Sequence, residues 1–167
     1  VFVSPVPGSN SGFNPIPDID LCLNDTVTIN SPVTTDFYSW SPNYSISDST
    51  IKSPVFNPVL NSTYYFTGTN SFGCFVKDTF QITIKQLPTV NAGNPSILCI
   101  GDSVILNSNG NAASYSWDNG VVDGQAFEVL NTQNYILTGT GANGCINTDS
   151  VLITGLTAPE TDAGSDI

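Results

Sequence analysis

The chain contains no histidine, no methionine and no arginine, and only 3 lysines in 167 residues. Without histidine, Ser-His-Asp and Cys-His catalytic arrangements are excluded. Glutamate occurs only at Glu128 and Glu160, and neither has a second carboxylate beside it in sequence. Cysteines and histidines are not clustered at zinc-site spacing, and no glycine-rich phosphate loop follows a strand and opens a helix. The chain is therefore expected not to be an enzyme and to hold no cofactor. Three lysines face 14 acidic residues, for a net charge of −11. That surface repels phosphate backbones, which argues against nucleic acid, and it disfavours anionic membrane surfaces by the same sign. Apolar runs fall short of the roughly 20 residues of a membrane helix, so no membrane insertion is expected. Residues 1–11 carry no charged side chain and are broken by Pro5 and Pro7, unlike a signal peptide. The chain reads as a piece of something longer.

Strong helix formers are also scarce, which argues against long helices. What is present is 40% hydrophobic residues, much Ser, Thr and Asn, 14 Gly and 11 Pro. This mixture suits short strands joined by many turns around a packed core. The four cysteines favour an oxidising, extracellular setting.

The same unit occurs twice. DLCLNDTVTI at 20–29 aligns with ILCIGDSVIL at 97–106, and FYSW at 37–40 with SYSW at 114–117, both at an offset of 77. FTGTNSFGC at 66–74 aligns with LTGTGANGC at 137–145 at an offset of 71, so the second copy has lost six residues between its Trp and its second Cys. LPTVNAGNP at 87–95 aligns with APETDAGSD at 158–166, as though a third unit had begun. Segments persisting at fixed offsets indicate tandem repeats. The expected organisation is an N-terminal segment over 1–14, repeat 1 over 15–87, repeat 2 over 88–157, and the start of another repeat over 158–167.

Within each repeat, apolar residues alternate with polar ones. Val27 and Ile29 are separated by Thr28, and Phe80, Ile82 and Ile84 by Gln81 and Thr83, the period of a strand with one buried face. Turn clusters such as 107–113, 118–124 and 69–73 punctuate them. The pattern predicts an all-β fold with β-sandwich domains. Tyr38 and Trp40, and Tyr115 and Trp117, lie two apart on one strand face and are expected in the core. Tyr64 or Tyr65, and Tyr135, are expected near the start of a late strand with a tethered hydroxyl.

Cys-x-x-Asp-[ST]-Val, a Tyr-Ser-Trp strand, Tyr-x-x-Thr-Gly-Thr, Gly-Cys and Asp-[ST] together resemble the immunoglobulin/PKD-like tandem repeats of secreted Bacteroidetes-type cell-surface adhesins and gliding-associated filament proteins. The resemblance spans about residues 15–157. PKD domains often continue after the Trp as WDFGD, whereas this chain has WSPNY at 40–44 and WDNGV at 117–121, so the label is PKD-like. The resemblance implies two tandem immunoglobulin-like sandwiches in an extended array, outside the cell and at its surface.

In such a sandwich Cys22 would precede the second strand and Cys74 would open the last, at opposite ends of the domain. A strand of five or six residues spans about 17–20 Å, while bridged Cα atoms come within about 7 Å. An inter-domain bridge between Cys22 and Cys145 is therefore preferred, with Cys74 and Cys99 facing neighbouring repeats. The alternative pairs Cys22 with Cys74 and Cys99 with Cys145, as the inter-sheet bridge of antibody domains does.

For a metal, the oxygen ligands of Ca²⁺ are the one fit. Asp18, Asp20, Asp25, Asp102, Asp162 and Asp166 are the candidates, set against the ordinary use of Asp in turns. Asn24, Asn43 and Asn61 open N-x-[ST] triplets. Asp25-Thr-Val, Asp102-Ser-Val and Asp149-Ser-Val resemble a Bacteroidetes O-glycosylation consensus. The expected function is that of a load-bearing structural repeat segment. Its partners would be neighbouring repeats of the same chain, with lateral self-association into a fibre. The alternative is a glycan- or protein-binding module using Phe13, Tyr44, Phe72 and Phe75 as exposed aromatics.

Overall fold

The computed structural model describes residues 14–157 and 159. These form strands, turns and loops without a helix, so the all-β expectation holds. The chain divides between Gln86 and Leu87 into two units.

Unit 1 contains β1 (Ile19–Cys22), β2 (Val27–Thr28), β3 (Phe37–Ser41), β4 (Val55–Phe56), β5 (Ser62–Thr69) and β6 (Phe75–Lys85). One sheet has the order β1-β6-β5-β3, and β2 pairs with β4 in a second. β1 runs parallel to β6, with Ile19 opposite Ile82 and Cys22 opposite Lys85. The central hairpin β5–β6 is antiparallel from Ser62–Ile82 to Thr69–Phe75. The first strand laid parallel to the last, beside two antiparallel neighbours, is the immunoglobulin-like arrangement.

Alternation fixes which face is buried. Along β6, Phe80, Ile82 and Ile84 are buried while Thr79, Gln81 and Thr83 are turned to solvent or nearly so. Phe56 on β4 reaches across to the large sheet, with ring centroids 5.6 Å from Trp40, 4.9 Å from Tyr64 and 5.7 Å from Phe80, all edge to face. Rings from both sheets thus interlock as one core, with Ile16 and Ile29 closing it. Each buried aromatic contributes about 1.5–3 kcal/mol of hydrophobic stabilisation.

Unit 2 contains β7 (Val90–Asn91), β8 (Ser96–Cys99), β9 (Ser103–Ile105), β10 (Asn109–Gly110), β11 (Ser114–Trp117), β12 (Ala126–Glu128), β13 (Gln133–Thr140) and β14 (Ile146–Leu156). Its main sheet has the order β11-β13-β14-β8, with β8 parallel to β14, while β9 pairs with β12 and β7 with β10. The core is built on Trp117, Val129, Tyr135, Leu137, Val151 and Ile153. It is less aromatic than that of unit 1, because Leu137 and Val151 stand where Phe66 and Phe80 stand in the first copy.

Candidate functional site

The cysteines mark two ends of each unit. In unit 1, Asn70 and Cys74 close a turn: Asn70 N–H donates to Cys74 O (3.0 Å), and Asn70 Oδ1 accepts from Phe72 N–H (3.1 Å) and Cys74 N–H (2.9 Å). Gly73 takes φ 84°, a left-handed conformation that glycine adopts without a Cβ clash. In unit 2, Gly141 N–H donates to Cys145 O (2.8 Å), Asn143 Oδ1 accepts from Cys145 N–H (3.1 Å), and Gly144 takes φ 83°. The Gly-Cys pair therefore ends a tight turn and delivers the cysteine at the foot of the long last strand.

The other cysteine of each unit sits at the far end of that strand. Cys22 is opposite Lys85, eleven residues along β6 from Cys74. At about 3.3 Å per residue, they are separated by about 36 Å. Cys99 is opposite Leu156, eleven residues from Cys145, and the same length applies. Cysteines of one unit therefore cannot bridge each other, since a disulfide needs Cα atoms within about 7 Å. Cys74 and Cys99 are exposed free thiols. Cys22, half-buried, and Cys145, fully buried, are each in the disulfide state.

Each cysteine end is also a junction of the chain. Leu23 N–H donates to Lys85 O (2.9 Å), and Asp20 pairs with Lys85 Nζ at 2.9 Å, so Cys22 lies where unit 1 is left. Asn147 Nδ2 donates to Pro88 O (2.9 Å), so Cys145 lies where unit 2 begins.

The four tryptophan and tyrosine core residues behave as a repeated device. Trp40 is buried with its Nε1–H donating to Ile51 O (2.9 Å), and Trp117 with its Nε1–H donating to Asp123 Oδ1 (2.9 Å). Tyr38 and Tyr115 are half-buried, and their hydroxyls accept from Thr35 N–H (3.2 Å) and Ala112 N–H (3.0 Å). Tyr64 and Tyr135 are buried, and Tyr65 points outward. The tethered hydroxyl expected at Tyr64 is not made: it is buried without a hydrogen-bond partner among the described residues. Burial pushes its phenol above the ordinary tyrosine value, with the nearby Ser62 hydroxyl opposing. That hydroxyl itself donates to Leu60 O (2.9 Å).

The acidic residues are occupied locally. Asp18 Oδ1 accepts from Gln81 N–H (2.8 Å), Asp20 faces Lys85, and Asp102 Oδ2 accepts from Cys99 N–H (3.0 Å). Asp25 sits in the turn closed by its own N–H on Cys22 O (3.0 Å). Among the described residues no three such groups come together to hold a metal ion, and Asp162 and Asp166 lie outside them. Asp149 clips the start of unit 2, accepting from Ala92 N–H (2.8 Å), as Asp78 does in unit 1 from Ile16 N–H (2.7 Å). That bond, ahead of one from Ser150 N–H, holds the Asp149 carboxyl below the usual range.

Of the candidate aromatics, Phe72 (91% exposed) in its turn, Phe75 at the start of β6 and Tyr44 are open to solvent, and Phe13 is outside the described residues. The sequence pattern missed Phe37, 64% exposed, which lies in a cross-strand row with Thr69 and Phe75. The signal was its odd-numbered place two before Ser39, on the outer face of the Trp40 strand. Lys77 Nζ lies 5.2 Å from the Phe75 ring centroid.

No family model and no curated protein matches the chain. Among solved structures, it is similar to the insect immune protein hemolin at 16% identity (89% of this chain, 49% of that one, TM-score 0.40). It is also similar to the N-terminal Ig1-2 module of the Drosophila receptor tyrosine phosphatase DLAR at 11% (83% and 94%, TM-score 0.34). A third likeness is to the fibronectin(III)-like modules of Clostridium thermocellum CbhA at 12% (91% and 97%, TM-score 0.34). Identities this low carry no functional argument.

Proposed function

We propose that this chain is a structural repeat segment of a secreted cell-surface adhesin or filament, acting as a rigid load-bearing spacer. The observation that carries the proposal is the parallel pairing of β1 with β6, which puts Cys22 beside the point where the chain leaves unit 1. Tension on the two ends of the unit pulls these strands in opposite directions along their length. The ladder from Ile19–Ile82 to Cys22–Lys85 is then loaded in shear, so its bonds resist together rather than unzipping one by one.

The proposed partner of Cys22 is Cys145. Only Gln86 and Leu87 lie between Lys85, which Cys22 faces, and Pro88, which the Cys145 end holds. Joined, the two sulfurs would pass tension directly from Cys22 to Cys145 and hold residues 23–144 as a closed loop, so the β1–β6 ladder bears load in shear where the bridge is open and is relieved of it where the bridge is closed. The free thiols Cys74 and Cys99 are the corresponding positions for the repeats before and after. At the Cys74 end of unit 1, Phe72 in the turn and Phe75 at the start of β6 are exposed, with Phe37 two strands over in the same cross-strand row, and these apolar side chains suit a preceding module or a lateral fibre neighbour. Disulfide chemistry fits an oxidising, extracellular setting.

Proteolytic mapping under non-reducing conditions tests the pairing. Cleavage after Lys52, Lys77 and Lys85, then after Glu128, puts every cysteine on its own peptide. The proposal expects residues 1–52 linked to the peptide beginning at Val129; a link from 1–52 to 53–77 overturns it.

A further inference from the structure

The two repeats differ at one place in the fold. Residues 41–55 connect Trp40 to Phe56, whereas residues 118–126 connect Trp117 to Phe127. The six missing residues fall there. In unit 1 the longer connection folds back along the outer edge of β4. Ser47 N–H donates to Val55 O (2.9 Å) and Asn57 N–H donates to Ser45 O (2.8 Å), with Ile46 opposite Phe56 and half-buried on the core. β4 is thus paired on both edges, and Tyr44 reaches the Tyr64 ring at 6.3 Å.

β12 is the counterpart of β4, and Phe127 meets Tyr135 edge to face at 5.2 Å, as Phe56 meets Tyr64. One edge of β12 pairs with β9. Val129 N–H donates to Asp102 O (2.8 Å), and bonding direction alternates along an antiparallel strand. Phe127 therefore also turns its backbone groups toward β9, and Ala126 and Glu128 turn theirs away. Among the described residues, the Ala126 carbonyl and the Glu128 N–H have no hydrogen-bond partner. Beside this edge runs a groove of about 450 Å³, walled by Val121, Val122, Phe127, Leu130 and Tyr135. Val122 and Leu130 are largely exposed.

We propose that the edge of β12 is a docking site for an extended strand of another polypeptide. The unit 1 copy shows what covers such an edge: a short strand that gives one N–H, accepts one, and lays an aliphatic side chain on the central Phe. The incoming strand would donate to Ala126 O, accept from Glu128 N–H and set an aliphatic residue on Phe127, which is recognition by strand addition. It is neutral or basic, because Glu128 borders the groove and residues 87–167 contain no Lys, Arg or His to receive an acid. The groove also carries the amides of Asn119, Gln125, Asn131 and Gln133, which suit a neutral sugar. Two open backbone groups at ladder spacing favour the strand. This site is independent of the cysteine junctions.

The probe is a capped heptapeptide, Asn-Tyr-Ser-Ile-Ser-Asn-Ser, which is residues 43–49 with Asp48→Asn. Titrated into the full ¹⁵N-labelled chain, it is expected to shift the amide signals of residues 121–122 and 126–128. At saturation, Glu128 N–H exchange should slow at least tenfold. The same peptide N-methylated at the Ser after Ile should bind at least tenfold more weakly, a comparison that needs no altered protein. Grafting residues 41–55 in place of 118–126 should abolish binding. Silence at millimolar peptide, equal binding of the N-methylated peptide, or shifts produced by neutral oligosaccharides and not by the peptide would each overturn the proposal.

Discussion

The Trp117 indole donates to the Asp123 carboxylate at 2.9 Å, whereas its counterpart Trp40 donates to the Ile51 backbone carbonyl. Asp123 also accepts from Ser108 N–H (2.6 Å) and Ser108 Oγ (2.9 Å). One latch therefore titrates and the other does not.

The Trp117 hydrogen bond, ahead of those from Ser108, holds Asp123 below its ordinary value. A carboxyl with a depressed folded pKa adds stability that is present above its unfolded pKa of about 4 and lost as pH falls through the folded one. Unit 2 is expected to lose stability below about pH 4 partly through this group. Asp123→Asn should cost about 1 kcal/mol near neutrality and flatten that part of the acid response. An unchanged acid profile, followed by tryptophan fluorescence, would contradict the latch.

Trp40 packs on Phe56, Phe66 and Phe80, with centroids at 5.6, 4.5 and 6.2 Å. Trp40→Ala should cost about 3–5 kcal/mol. Because the units hold separate cores, calorimetry should show unit 1 melting early while unit 2 keeps its own transition. A single shifted transition would mean the cores are not independent.

Tyr64 carries a buried hydroxyl without a partner among the described residues. Desolvating such a group is unfavourable, so removing it relieves that cost. Tyr64→Phe is expected to raise the denaturant midpoint of unit 1 by the equivalent of about 0.5–1.5 kcal/mol. A loss of stability would reveal a hydrogen bond at this hydroxyl.

Gly110 takes φ 137°, and a Cβ there would stand 2.1 Å from Thr89 O. Backbone cannot move aside as a flexible side chain can, and the conformation is itself glycine's. Gly110→Ala should destabilise unit 2 by about 2–4 kcal/mol. Gly73→Ala, also at positive φ but with open space around it, should cost about 1 kcal/mol. Matched melts of the two variants separate the clash from the conformational cost.

Much of this was legible residue by residue. The alternation in 79–84 gave the buried face of β6, and the repeated Tyr-Ser-Trp put both tryptophans in the core, because a strand that buries one face must write that face every second residue. The six-residue difference was legible as a number without a meaning. Only once Ser45–Ser47 is seen paired along β4 does its loss become an open edge on β12. Phe37 likewise gave no local sign that it would join Phe75 across the sheet.

The amino-acid order by itself determined the strands, the doubling of the unit and the residues of each core, since those follow from local periodicity and side-chain polarity. The tertiary structure decided which strands became neighbours, how far along the last strand the two cysteines of one unit stand apart, and which edge was left unpaired. Backbone hydrogen bonds between strands carry no side-chain label, so a partner distant in sequence is chosen by how whole faces pack.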